Sequence, residues 1–390
     1  MRLDIGWTDL FYGAAQCLRR IDPADAALRV EACWPEPHEA IACLSVRSGF
    51  DLLLSALELP RESDVLISAI TIPHMVRIIE AHGLRPVPVD IDPATTIPRP
   101  DQLRRAITPQ TRAVVIAPLF GVRAPLDAVA TISHGHGLWL IEDAAQAFDG
   151  NYRGDPLAHV SMFSFGVIKT ATAGGGALLR VRDRAVLERM RAIQAAMPLQ
   201  SRSRYFSKLM KYAGLKLLSN PWCFRLFRAG CKCIGVDDDR LLSQSVRGFA
   251  GAELLTAIRH RPCAPLMALL ARRLQSFEHR RLARRGELGR RLRDSLPLAS
   301  CPAAAATGHS FWVFPVVTRN PRGLIEALKL AGFDATQGQS LRVVELSDRQ
   351  HCPPDEARRM LSAIVFVPFY PELSARAVDR LAAAIRESMH

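Results

Sequence analysis

Leu138-Trp139-Leu140-Ile141-Glu142-Asp143-Ala144-Ala145-Gln146-Ala147 is the stretch that decides the fold. Its apolar half, residues 138–141, reads as a short buried strand. An acidic pair stands at the strand's carboxyl end, and small residues follow it. Working outward, helices are expected over 51–59, 75–82, 101–106 and 126–134, and strands over 65–70, 86–89 and 113–117. Strands separated by such helices imply βαβ units and a mostly parallel sheet, so the fold class is α/β. Open sheets of this kind hold ligands at the carboxyl ends of their strands.

Three islands carry candidate chemistry. At the end of strand 138–141, Asp143 can pair with a protonated ring nitrogen, as a pyridinium cofactor requires to act as an electron sink; a helix cap is its other use. Arg47-Ser48-Gly49-Phe50 precedes a helix, and a small-residue turn there offers free N–H groups and a helix dipole to a phosphate. A simple cap is again the alternative. Phe163-Ser164-Phe165-Gly166-Val167-Ile168-Lys169 leads through Thr170 to Ala173 into Gly174-Gly175-Gly176. A lysine in so apolar a strand and loop becomes nucleophilic when burial or a neighbouring cation lowers its pKa. The glycines let backbone pass close to a ligand or another subunit. A solvated surface lysine is the competing reading.

Past residue 180 the texture changes. Residues 181–196 read as one polar helix, and 266–296 as a second long, arginine-rich one starting after Pro265. Phe311 to Met389 reads strand, helix, strand, helix, with strands at 311–317 and 364–367 and a closing helix at 375–387. Two domains are expected: residues 1–245, with a basic insert at about 201–236, and a smaller C-terminal α+β domain, residues 246–390.

The chain has 390 residues, 49% of them hydrophobic and 23% charged, and a net charge of +13. It has no run of ~18 uninterrupted apolar residues to span a bilayer, and Met-Arg-Leu-Asp-Ile-Gly lacks a secretory pattern. A cytoplasmic protein is expected. The nine cysteines are scattered, only Cys231 and Cys233 being close, and they read as reduced thiols rather than a metal site. Eight basic residues and no acidic one lie between Ser201 and Val236: Arg202, Arg204, Lys208, Lys211, Lys216, Arg225, Arg228 and Lys232. Phe206, Leu209, Met210, Ala213 and Leu217 fall at helical spacing among them, and Trp222, Phe224, Leu226 and Phe227 follow. This segment suits packing on the protein or a dimer partner, peripheral contact with an anionic membrane at the inner surface, or capture of a lipid-bearing or polyanionic substrate. Nucleic acid is disfavoured, because no binding module accompanies the charge.

In order and spacing these islands resemble the DegT/DnrJ/StrS family, pyridoxal 5'-phosphate (PLP) dependent sugar aminotransferases of the aspartate-aminotransferase fold. Ser48-Gly49-Phe50 stands for the family's Ser-Gly-Thr turn, Asp64-Val65-Leu66-Ile67 and Pro86-Val87-Pro88-Val89-Asp90 for two of its strands, and Leu119-Phe120-Gly121 for its Leu-Tyr-Gly turn. Glu142 to Ala147 and Phe163-Ser164-Phe165-x-x-x-Lys169 match without change, and Val367-Pro368-Phe369-Tyr370-Pro371 resembles a motif near the family's C-terminus. The resemblance runs from about residue 40 to the C-terminus. It implies a PLP-transferase fold of type I, with a seven-stranded sheet flanked by helices, and a homodimer. It also implies that Lys169 holds PLP as a Schiff base and shuttles the proton, that Asp143 pairs with the ring nitrogen, and that Gln146 meets the phenolic oxygen. Ser164 and the backbone of Ser48, Gly49 and Phe50 would bind the phosphate. The reaction implied moves an amino group from an amino-acid donor, typically glutamate, to a keto acceptor, typically a nucleotide-linked keto sugar, in amino sugar and polysaccharide biosynthesis.

Several positions depart from the pattern. Phe50 replaces a threonine, and Pro118 replaces a histidine. Ile72 stands where an aromatic usually stacks on the ring, with His74 two residues on. Gln244-Ser245-Val246-Arg247 replaces the element whose asparagine reaches the partner's phosphate, leaving Ser245 as donor. The substrate loop becomes Asp334 to Arg342. Conserving the cofactor-side residues while changing the substrate side implies PLP chemistry on an unusual, even lipid-linked, keto compound. A dehydratase of the same family would carry histidine at position 169. A non-catalytic or membrane-associated regulatory member is the other alternative, against which Lys169, Asp143 and Gln146 together argue.

Overall fold

Val114, Ile116, Leu140 and Ile141 are wholly buried, as a parallel sheet covered on both faces demands of its strands. The computed structural model describes residues 3–218, 222, 225, 253–306, 308–338, 340–345 and 353–389. The chain begins with α1 (Trp7–Leu18), α2 (Pro23–Glu31), β1 (Ala40–Cys43), α3 (Val46–Leu57), β2 (Asp64–Ser68), β3 (Ile70–Thr71), α4 (Pro73–Ala81), β4 (Arg85–Val89) and α5 (Pro100–Ala106). It continues with β5 (Thr111–Ile116), β6 (Val122–Arg123), α6 (Asp127–Gly135), β7 (Trp139–Asp143), β8 (Val160–Ser164), β9 (Ala177–Val181), α7 (Arg184–Ala196) and α8 (Arg202–Leu217). The later elements are α9 (Leu254–Ile258), α10 (Ala264–Gln275), α11 (His279–Asp294), β10 (Gly308–His309), β11 (Phe314–Val317), α12 (Pro321–Leu330), β12 (Arg342–Val343), α13 (Asp355–Ala363), β13 (Ile364–Val367) and α14 (Ala375–Glu387).

Seven strands form one sheet in the order β1-β9-β8-β7-β5-β2-β4. β4, β2, β5, β7 and β8 pair in parallel, and β1 pairs antiparallel with β9. This is the mostly parallel α/β sheet expected. The chain divides into two compact units, residues 1–56 with 164–277, and residues 57–163 with 278–390. The boundary expected at residue 245 lies outside the described residues, as do Ser245 and most of 219–252.

In the first unit α1 and α8 pack on each other and on α10. The pairing of α1 with α8 is antiparallel: Arg202 donates to the carbonyls of Arg19 and Ile21 at 2.7 and 3.0 Å, and Lys216 to that of Ile5 at 2.6 Å. Gly13 lets the helices close up, since a Cβ there would lie 2.9 Å from Leu269 and 3.1 Å from Leu209. Asp9 is buried and held by Arg272 and Arg273 at 3.0 and 2.8 Å.

The inward stripe of α8 differs from the one expected. Tyr205, Leu209 and Tyr212 are buried, whereas Phe206, Met210 and Leu217 are exposed. Two tyrosines win the inner face because each hydroxyl finds a carbonyl there, which Phe206 and Met210 could not satisfy. The expected long helix 266–296 is two helices, broken at Ser276-Phe277-Glu278. Every residue of α10 from Ala264 to Ala271 is buried, while α11 turns arginines outward.

In the second unit α5 and α6 cover the sheet through Leu66, Val114, Ile116, Leu126, Val129 and Leu140. β11 and β13 pair antiparallel, over a core of Leu292, Phe314, Leu328, Val365 and Leu381. β12 pairs antiparallel with β3, setting Arg342 opposite Thr71.

Candidate active site

The Lys169 loop is built in the first unit. Five residues past β8, the backbone N–H of Lys169 donates to the Gly166 carbonyl at 3.0 Å, and the side chain is half-buried. The loop closes on itself: Phe165 N–H donates to Gly176 O at 3.0 Å, Ala173 N–H and Thr172 Oγ1 to Phe165 O at 3.2 Å each, and Gly174 N–H to Thr172 Oγ1 at 2.9 Å. Ala171 takes a positive φ of 55°, a strained conformation for alanine, and Gly174 and Gly176 take 75° and 89°. Such strain persists only where the surroundings fix it. Here Asp4 Oδ2 accepts from Ala171 N–H at 2.8 Å, and Tyr205 and Tyr212 donate to the carbonyls of Ala173 and Gly174 at 2.8 and 3.5 Å. Ser164 ends β8, half-buried, with its hydroxyl beside Gly166.

Also in this unit, α3 begins earlier than expected. Its first turn contains Ser48 and Gly49 because Ser45 acts as the cap: Ser45 Oγ accepts from Ser48 N–H at 3.1 Å, and Ser45 O from Gly49 N–H at 2.9 Å. The Ser45 and Ser48 hydroxyls meet at 2.9 Å. A Cβ on Gly49 would lie 2.4 Å from Leu179, so this glycine serves packing against β9. Phe50 is wholly buried, which accounts for an apolar residue where the family has threonine. Burial pulls the Lys208 ammonium down to about 8, with help from the charges of Lys211 and Arg47; its Nζ lies 3.6 Å from where a Cβ on Gly175 would be. A cation in that state favours a bound anion. Ser45 and Lys208 are candidates the sequence reading does not single out; the serine three positions before Ser48, at a helix start, is the readable signal for the first.

In the second unit β7 ends at Asp143, half-buried, its Oδ1 accepting from Ala145 N–H at 3.1 Å. Strand alternation sends its neighbour Glu142 the other way. Glu142 is buried, with its carboxyl pushed up by burial and satisfied by Tyr152 Oη and Asp155 N–H. Gln146 Oε1 accepts from Phe120 N–H at 2.7 Å, in the Leu119-Phe120-Gly121 turn where Phe120 has φ 65°. Ile72, half-buried, caps α4 in extended conformation, and His74 stands in that helix's first turn. Arg342 is exposed on β12 opposite Thr71. Thus Asp143 and Gln146 come together at the end of one strand, and Lys169 with Ser164 at the end of another. Among the described residues no group of three His, Cys, Asp or Glu side chains could hold a metal, and Cys17, Cys43, Cys263 and Cys301 are free thiols.

Residues 33–217 match the model of the DegT/DnrJ/EryC1/StrS aminotransferase family. Solved structures share the fold over nearly the whole chain. A DegT DnrJ EryC1 StrS aminotransferase from Brucella abortus is 17% identical, with TM-score 0.70, over 98% of this chain and 95% of its own. The putative sugar aminotransferase Spr1654 from Streptococcus pneumoniae, in its PMP form, is 15% identical, with TM-score 0.71, over 100% and 98%. The aminotransferase TlmJ from Streptoalloteichus hindustanus is 19% identical, with TM-score 0.66, over 99% and 92%.

Proposed function

We propose that this chain, whose residues 33–217 match the model of the DegT/DnrJ/EryC1/StrS aminotransferase family, is a PLP-dependent aminotransferase of that kind. It takes an amino group from an amino-acid donor, glutamate or a close analogue, and gives it to a keto acceptor, a nucleotide-linked keto sugar or an unusual lipid-linked keto compound. The observation that carries this reading is the braced loop 165–176, which holds one lysine at a strand's carboxyl end in a conformation the chain maintains against strain. When bound, PLP supplies the electron sink that lets an α-proton leave.

The chain's own groups then divide the work. The Lys169 amine would hold the cofactor and would accept the proton that leaves the substrate's α-carbon. The Asp143 carboxylate keeps the ring nitrogen protonated, since an adjacent negative charge favours the cationic form. Gln146 spends its oxygen on Phe120; its NH2 is thereby turned into a fixed donor for the phenolic oxygen. The Ser48 and Ser164 hydroxyls, the first turn of α3 at Gly49 and Phe50, and the Lys208 charge suit the phosphate. Ile72, with His74 two residues on, would face the ring, and Ser245, outside the described residues, is the candidate donor to a partner subunit's phosphate in a homodimer. Arg342 gives the donor's carboxylate a guanidinium partner. Residues 1–245 serve as the cofactor domain and 246–390 as the smaller domain, in a cytoplasmic enzyme.

Reconstitution tests this reading. Wild type incubated with PLP should turn yellow, and borohydride should fix one cofactor on Lys169, whereas Lys169→Ala should fix none. Keto compounds should discharge the pyridoxamine form of the true enzyme, and that loss of absorbance identifies the acceptor. A wild-type protein that takes up no PLP overturns the proposal.

A further inference from the structure

α1 presents Trp7, Phe11, Ala15 and Leu18 to solvent, a stripe at spacings of four, four and three that a helix lays along one face. Phe11 is 70% and Leu18 86% exposed. Antiparallel to it, α8 exposes Phe206, Met210 and Leu217 while burying Tyr205, Leu209 and Tyr212. Both helices rest on α10, so these stripes lie on faces that α10 does not cover. Soluble monomers seldom leave apolar side chains in such a contiguous array without a partner.

The charge around the stripes indicates which partner. Arg19, Arg20, Arg204 and Lys211 are exposed beside them. The one acidic side chain in α1 and α8, Asp9, is buried and neutralised by Arg272 and Arg273. Lys216 Nζ lies 6.0 Å from the Trp7 ring centroid, joining the helices at one end. We propose that the α1–α8 face is a docking platform for an anionic lipid surface. The aromatic and aliphatic side chains enter the headgroup boundary, and the flanking guanidinium and ammonium groups meet lipid phosphates. A second copy of the chain is the poorer occupant, because pairing this face with itself would set those cations against their own kind on a chain of net charge +13.

The inference is independent of the transamination reading. The test is sedimentation of the full chain with phosphatidylcholine vesicles, with and without phosphatidylglycerol. Wild type should pellet with the anionic vesicles alone and be released by salt. Phe11→Ser with Leu18→Ser should weaken binding by about tenfold or more, each buried side chain being worth that much apolar transfer. Lys211→Glu with Arg204→Glu should weaken it about as much, charges near such a surface being worth several-fold each. Unchanged thermal unfolding of these surface variants certifies their fold. Equal binding of wild type and variants, or no binding by wild type, overturns the proposal. So does a wild-type dimer that Phe11→Ser with Leu18→Ser converts to monomer, since the face would then belong to a second copy.

Discussion

The Tyr205 hydroxyl donates to the Ala173 carbonyl at 2.8 Å, from the inner face of α8 to the turn four residues past Lys169. Both partners are buried. Tyr205→Phe leaves that carbonyl unsatisfied, which costs about 1–3 kcal/mol. The unfolding midpoint in urea should fall accordingly, and borohydride should fix cofactor on Lys169 more slowly than in wild type.

Gly49 and Leu179 make a second tight relationship. Gly49→Ala drives a methyl into Leu179, and overpacking of this kind costs about 1–3 kcal/mol. If steric crowding is the cause, Gly49→Ala combined with Leu179→Val should be more stable than the sum of the two single changes predicts. Denaturation of the four members of that cycle measures the coupling.

Gln146→Glu separates scaffold from cofactor. A carboxylate still accepts from Phe120 N–H, but it no longer donates. Thermal stability of the cofactor-free protein should stay within about 1 kcal/mol of wild type, as for a replacement that keeps its hydrogen bond. PLP affinity, read by titration of the yellow chromophore, should drop by about tenfold or more, the worth of one hydrogen bond to a charged group.

His309 makes stability depend on pH in the second unit. Burial, with the charges of Arg293 and Arg285, pulls it down to about 4. Its Nδ1 accepts from Phe311 N–H at 2.9 Å and its ring stacks on Phe311 at 4.1 Å, both as neutral imidazole. The unfolded state therefore binds the proton first as pH falls below the ordinary histidine value near 6.5. Stability is full above that value and is lost progressively down to about 4. His309→Asn should flatten the fall in melting temperature between those limits.

Much of the fold is legible in the sequence alone. The buried strands around Val114 and Leu140 announce themselves because a parallel sheet buries both faces and needs apolar runs. The closing helix, 375–387, was readable to the residue from its amphipathic pattern. Asp143, Gln146 and Lys169 stand in the sequence as an ordered series, and the structure sets them at or just past the carboxyl ends of β7 and β8. What was hidden is long-range. α1 and α2 went unread, since nothing local says that Asp9 will be neutralised by Arg272 and Arg273 more than 260 positions away. The inward face of α8 was misjudged because apolar character ranked Phe206 and Met210 above Tyr205 and Tyr212. Only the carbonyls of a loop some 30 residues earlier make the tyrosines the better core residues.

The bracing of the Lys169 loop also sets an order of events in synthesis. One brace, Asp4, leaves the ribosome long before the lysine, whereas Tyr205 and Tyr212 emerge after it. A nascent chain that has just exposed Lys169 has only Asp4 of the three braces, and Ala171 has little reason yet to keep its strained backbone. On the role proposed for Lys169, competence to take up cofactor would come only after α8 has been made and has docked, so chains arrested ahead of residue 205 should fix no PLP however well their parallel strands have assembled.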